Sequence, residues 1–494
     1  MSKRNVAALL CIFVFLIPSW SESSSNGGGS DQVFEIREVR YSIDGKTRED
    51  VLRRYLDIRP GQVLEGRAAL QEYLEDKRQM IDNQRTLEGG DVAADFFQDP
   101  EDPRKTFVDI EVSVKDTWNY IALPYAKYDS NEGFLMSLRG RNYNFLGGME
   151  TLEINLDYVK VFEGTEEYDT KYSLNGGFAI PFYLWDYDWK FSIDEDIAVI
   201  DYPDEKLLQN ETHLGLSMDI PLDRNTWQAK LDQYYYLNPD GREDPDAYYM
   251  RTSGSFGSSI PLGLDVPFYG IPDYSVALIT SYSYKPFGTL SEDRQGYEFG
   301  AAHGLSVGRI NWLGNFRDGT EVSLDQDLRY NFSRELWLSN FDLEFQGHKS
   351  FGWGALSSRV QAFYRYNDVE EDAGEPIRGI LNSRMSGDAG VFVNLDFPVK
   401  MWIWFLDRWF EGHISPFFDY ALLRPEKGSF DLSQGWYGGG LEGFAFLKKA
   451  RSIYLRVMVG LDLEALVDGA MPGDPSPRDG GQVYEIYIGL GHHY

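Results

Sequence analysis

The chain has almost no cysteine. Cys11 is the only one, and it lies inside an N-terminal apolar segment. Lys3 and Arg4 precede that segment, which runs from Val6 to Ile17 and is too short to span a bilayer. Ser19-Trp20-Ser21 places small residues where a signal peptidase cuts, so residues 1–21 read as a secretory signal. Leu10 is too large to precede a lipidated cysteine. The mature chain is therefore expected to have no disulfide and no thiol chemistry. After the signal, no apolar run approaches the eighteen or so residues of a transmembrane helix. Positive charge is scarce too: 47 basic residues against 78 acidic ones give a net −31, which excludes nucleic acid as a natural partner. Much of the acid falls in expected loops, at 163–169, 203–211 and 368–375. Histidine is sparse: only six, scattered except for His492-His493, whose side chains point opposite ways on a strand, so no metal site is expected. There is no Gly-x-Ser-x-Gly elbow, and Gly254-Ser-Phe-Gly-Ser258 has the wrong spacing. Neither a catalytic residue nor a cofactor is expected.

What is abundant is aromatic side chain and glycine. Tyr, Phe and Trp number 32, 31 and 12, beside 49 Gly. From Trp118 onward helical periodicity nearly vanishes and period-two alternation takes over. Leu152, Ile154, Leu156 and Tyr158 form one apolar face, and Leu455, Val457, Val459, Leu461 and Leu463 another. Ile414, Pro416, Phe418, Tyr420 and Leu422 lie opposite His413, Ser415, Phe417, Asp419 and Ala421. At 484–494, Tyr484, Ile486, Ile488 and Leu490 alternate with Glu485, Tyr487, Gly489 and Gly491, and Tyr494 is aromatic. That pattern suggests the closing strand of an outer-membrane β-barrel, with Ile486, Ile488, Leu490 and Tyr494 as its C-terminal signal. A soluble β-sandwich would also alternate. Long runs of ten to fifteen residues favour the barrel, as do long acidic loops alternating with tight turns at Gly147-Gly148, Asp223-Arg224-Asn225 and Gly352-Trp353-Gly354. The raw count of runs is nearer eighteen, but the expectation is 16 strands. Residues 117–494 then supply about 24 for each strand plus connection.

Residues 22–32, rich in Ser and Gly, read as a flexible linker. Residues 33–116 read as a small α+β domain of order β-α-α-β-β. Its strands are Val33–Tyr41, about 85–97 and 106–114, and its second helix is Glu65–Ile81. Thr47 is expected to cap the first helix, with Asp50 as a capping-box partner.

Several motifs occur in order. Ile58-Arg-Pro-Gly-Gln-Val-Leu64, then a helix, then Phe107-Val-Asp-Ile-Glu-Val-Ser-Val114 resembles one POTRA domain. Asn142-Tyr-Asn-Phe-Leu-Gly-Gly148 contains an Asn-x-x-Gly, and Ile180-Pro-Phe-Tyr183 a Pro followed by aromatics. Pro376-Ile377-Arg378-Gly379-Ile380 is the sharpest, followed by Val391–Pro398 and Phe417-Phe-Asp-Tyr-Ala421. Together they resemble the BamA/TamA superfamily of outer-membrane assembly and translocation proteins over nearly all of the chain beyond the signal. Two positions depart from the family pattern: Ile380 stands where the family has Phe or Tyr, and Ala421 where it has Gly. The resemblance implies a lumen loop whose tip is Ile377, Arg378, Gly379 and Ile380, with Arg378 paired to Asp419. Alternation independently turns Asp419 and Glu442 inward, and an inward arginine needs an acidic partner.

The first strand, about 117–130, must pair with the last, about 482–494. Pro124 removes a donor from the former, and Gly489 and Gly491 loosen the latter, which suggests a weak seam suited to lateral opening. The expected partners are the outer-membrane bilayer, an unfolded outer-membrane or secreted client, and a periplasmic accessory protein or chaperone. The expected location is the bacterial outer membrane, with the POTRA domain in the periplasm. The expected role is assembly of β-barrel proteins or translocation of a client. A passive pore or surface antigen is the second reading.

Overall fold

The computed structural model describes residues 32–490, apart from 85, 130–132, 162–168, 223–224, 240, 242–244, 265, 267–268, 292–293, 402–407, 449–453 and 472–473. The expected signal, most of the linker, Gly491 and Tyr494 lie outside the described residues.

The N-terminal part consists of β1 (Val33–Asp44), α1 (Glu49–Leu56), β2 (Val63–Glu65), α2 (Arg67–Asn83), β3 (Leu87–Gln98) and β4 (Lys105–Asp116). The sheet order is β2-β1-β4-β3, with β1 and β4 parallel and both edges antiparallel. Alternation on β4 buries Val108, Ile110, Val112 and Val114 against Leu52, Leu56, Leu70, Leu74 and Ile81 of the helices. That single core is the reason these residues fold as a unit. The expected cap is not observed. The N-cap is Arg48, without a side-chain bond, and Thr47 instead donates its hydroxyl to Asp116 Oδ1 at 2.6 Å.

Eighteen antiparallel staves, not the expected 16, then close a barrel. In chain order they are β5 (Tyr120–Asp129), β6 (Gly133–Asn142), β7 (Leu152–Lys160), β8 (Thr170–Leu184), β9 (Tyr187–Asp201), β10 (Lys206–Leu222), β11 (Asn225–Leu237), β12 (Tyr248–Pro261), β13 (Asp273–Tyr284), β14 (Gly296–Leu313), β15 (Phe316–Asn331), β16 (Leu336–Ser350), β17 (Ala355–Tyr366), β18 (Ala389–Asp396) with its short continuation β19 (Val399–Met401), β20 (Phe410–Arg424), β21 (Trp436–Leu447), β22 (Tyr454–Asp462) and β23 (Tyr484–Leu490). β18 and β19 both pair with β20 and count as one stave. The estimate of 16 failed because turns at one end are so short. Trp185-Asp186 and Gly314-Asn315 each reverse the chain in two residues, so a strand and its connection use about 21 residues rather than 24. The acidic run at 203–211 is likewise mostly strand, since β10 starts at Lys206.

The outer face is apolar, with Leu156, Leu174, Leu278, Phe418, Leu441 and Val459 all exposed. Such a surface belongs in hydrocarbon. Tyr235, Tyr282, Phe299, Tyr330 and Trp337 add aromatic rings to it, and the inner face carries the charges.

Candidate functional site: a lumen loop and the barrel seam

The connection between β17 and β18 folds back into the barrel and brings its tip against the inner wall. Arg378 is 1% exposed there. Its Nε and Nη2 donate to the two oxygens of Asp419 on β20 at 2.8 and 2.7 Å, a bidentate fork, and its backbone N–H donates to Asp419 Oδ2 at 2.9 Å. Nη1 donates to Asp396 on β18 at 2.7 Å and lies 3.2 Å from Glu442 Oε1 on β21. The guanidinium sits 4.0 Å over the ring of Phe417. Arg456 on β22 also donates to Glu442. Gly379 N–H donates to Glu485 Oε2 on β23 at 2.6 Å. Four staves thus each present one carboxylate to the loop tip, and Arg456 of β22 reaches it through Glu442.

Glycines make this close approach possible. Gly379 has φ +91°, and a Cβ on it would lie 2.6 Å from Leu461 N. A Cβ on Gly460 would lie 2.6 Å from Gly379 Cα, and one on Gly438 would strike the Arg378 carbonyl. Ile377 and Ile380 are fully buried with Met385, Phe392 and Trp436, so Ile380 fills an apolar core where the family pattern has an aromatic. The loop is clasped from outside as well. Arg384 donates to Asp479 at 2.8 Å and Asp462 at 3.1 Å, and Arg478 lies 3.6 Å over Trp436.

Asp419 and Glu442 both lie against Arg378. Asp396, Arg456 and Glu485 were not expected at the site, although a signal for each was present. Asp396 shares a face with Asn394 in an otherwise alternating strand, and Arg456 and Glu485 break apolar runs at inward positions. What alternation could not supply was the neighbour order that brings β18 and β23 to the same loop tip.

The seam is thin. Among the described residues β23 pairs with β5 at only two positions, Tyr487 with Asp129 and Ile488 with Tyr128. By contrast, β22 and β23 pair at seven and β5 and β6 at ten. Pro124 lies in the stretch of β5 beyond that contact, paired with Leu138 of β6. Gly489 has a more specific task than loosening a strand. A Cβ there would lie 2.5 Å from Tyr125 Oη and 2.6 Å from Tyr487 Oη, so its missing side chain lets the two hydroxyls meet across the seam. Ile486 and Ile488 sit on the outer face of β23. A largely apolar groove of about 930 Å³ opens beside the start of β5, between Tyr120, Ala122, Ile154 and Leu447.

At the mouth where this groove opens, the N-terminal domain is tied to the barrel. Asn144, buried in the turn between β6 and β7, donates to Thr47 Oγ1 at 2.6 Å and Asp116 Oδ2 at 3.1 Å and accepts from Met149 N–H at 2.9 Å. Arg48 N–H donates to Gly147 O at 2.9 Å. Arg54 meets Asp188 at 3.0 Å at the β8–β9 turn, and Arg309 on β14 meets Asp76 at 2.5 Å. The domain therefore touches turns on widely separated staves and lies across this mouth of the barrel. The remaining lumen holds a cavity of about 890 Å³ lined by Asp194, Asp196, Glu211 and Lys230.

No protein-family model and no curated sequence matches the chain. Among solved structures, CdiB from Acinetobacter baumannii aligns over 93% of this chain and 74% of its own, at 11% identity and a TM-score of 0.50. The two share a fold. BamA from Haemophilus ducreyi lacking POTRA domains 1–3 aligns over 92% of this chain and 84% of its own at 12% identity, with a TM-score of 0.43. CdiB from Escherichia coli aligns over 96% and 92% at 8% identity, with a TM-score of 0.41. At such identities the likeness is one of fold, and the two matches below 0.5 add no argument.

Proposed function

We propose that the protein sits in a bacterial outer membrane and inserts β-barrel proteins or translocates a client polypeptide, with the N-terminal domain acting as a POTRA module in the periplasm. The observation that carries this reading is the junction of β5 with β23, where Pro124 stands in the first strand, Gly489 in the closing one, and two backbone pairs join the described residues. Parting this junction bares a strand edge onto which a client strand adds by main-chain hydrogen bonding. The client or an accessory chaperone first meets the edge of β3, which has a neighbour on one side only. Client folding into lipid supplies the free energy, and the protein is not an enzyme. A passive pore or surface antigen is the second reading, favoured by the open, carboxylate-lined part of the lumen.

Depletion followed by quantification of the outer-membrane proteome tests the proposal, with Arg378→Ala run alongside. Loss of many barrel proteins identifies an assembly factor, and loss of one secreted protein a dedicated translocator. If only the depleted protein disappears, assembly and translocation are abandoned and the pore or antigen reading stands.

A further inference from the structure

Glu485 belongs to the strand that closes the barrel, yet its carboxylate is turned away from the seam and onto the lumen loop. It is 8% exposed and accepts the Gly379 N–H at 2.6 Å. Directly opposite it on β22 is Gly460, and that missing side chain is what admits the loop backbone to within reach of Glu485. Two residues along the same face is Tyr487. Its ring lies under the Arg456 guanidinium at 4.8 Å and within 5.4 Å of Lys127 Nζ on β5. Arg456 in turn shares Glu442 with Arg378. Tyr487 reaches across to Tyr125 on β5 over the vacant side of Gly489. Two routes therefore run from the loop tip to the weakest junction of the barrel. One passes through Glu485 directly, and the other through Glu442, Arg456 and Tyr487.

We infer that Glu485 is a positioning residue that latches the closing strand to the lumen loop, so that the seating of Arg378 sets how readily the seam opens. The inference rests on the proposed function, in which the seam must open. The bond from Gly379 to Glu485 ties β23 to the loop independently of its backbone pairs with β5, and so adds to what holds the closing strand in place. An unseated loop leaves β23 to its pairing with β22 and β5.

The test uses the full-length protein with Cys11→Ser and one cysteine on each side of the seam, Tyr128→Cys and Ile488→Cys, which face each other on the outer surface. The initial rate of oxidant-driven disulfide formation is measured in purified protein without client. Glu485→Ala is expected to lower that rate at least threefold, while Glu485→Gln, which still accepts the Gly379 N–H, stays near the parent. An unchanged rate in Glu485→Ala overturns the latch. If Glu485→Ala does not yield a heat-modifiable folded barrel, Tyr487→Phe takes its place. It must lower the rate by removing the Tyr125 contact, and an unchanged rate there also overturns the inference. Because no client is present, failure here is distinct from failure of the depletion experiment.

Discussion

Arg378 is the residue on which most of the site depends. Removing it leaves Asp419, Asp396 and Glu442 facing one another with only Arg456 nearby, and breaking a buried pair in this way costs about 3–5 kcal/mol. Arg378→Ala should therefore lower the midpoint of heat modifiability on gels by many degrees. Arg378→Lys should recover only part of the loss, because an ammonium cannot fork onto Asp419. Ile380→Phe restores the aromatic of the family pattern but enters a core already filled by Met385, Phe392 and Trp436. It should destabilise by about 1–3 kcal/mol, measured by denaturant unfolding. In the N-terminal domain, the side-chain hydrogen bond from Arg37 holds the Asp109 carboxyl below its ordinary range. A depressed carboxylate adds stability that is present above the unfolded pKa, about 3.9, and is lost as pH falls through the folded value. Asp109→Asn should flatten the acid limb of the domain's unfolding curve below that pKa.

At the scale of elements, the seam engages less backbone than any other junction among the described residues. A covalent bridge between Tyr128→Cys and Ile488→Cys should leave the folded barrel intact and abolish client insertion or export; full activity in the bridged protein would remove the lateral-opening mechanism. Gly489 belongs to this scale too, since Gly489→Ala pushes a methyl group into both seam tyrosine hydroxyls. The expected helix in the N-terminal domain formed without its expected cap, because Asp116 at the end of β4 competes for Thr47 from across the fold. Local capping rules cannot see such a partner.

Across the whole molecule, the domain and the barrel are joined through Asn144, the first residue of the Asn-x-x-Gly stretch. Asn144→Ala removes three buried hydrogen bonds, of roughly 1 kcal/mol each. It should broaden the distance distribution between spin labels on α2 and on the barrel without changing barrel stability. A distribution as narrow as that of the parent would show that the Arg54–Asp188 and Arg309–Asp76 contacts hold the domain unaided.

The sequence by itself determined the class of fold and the faces of its strands. Side-chain period is a local property, so Asp419 and Glu442 read as inward from their immediate neighbours alone, and the Arg378 motif was legible as a short run. The runs themselves numbered nearer eighteen, and 16 was misjudged by allotting about 24 residues to each stave, more than two-residue turns need. Tertiary structure alone decided which staves adjoin, and hence that Asp396 and Glu485 meet the same loop as Asp419, with Arg456 behind Glu442. It also decided that Gly489 makes room for a tyrosine pair. Closure joins residues more than 350 positions apart, and no local pattern encodes which side chains then face each other across the junction.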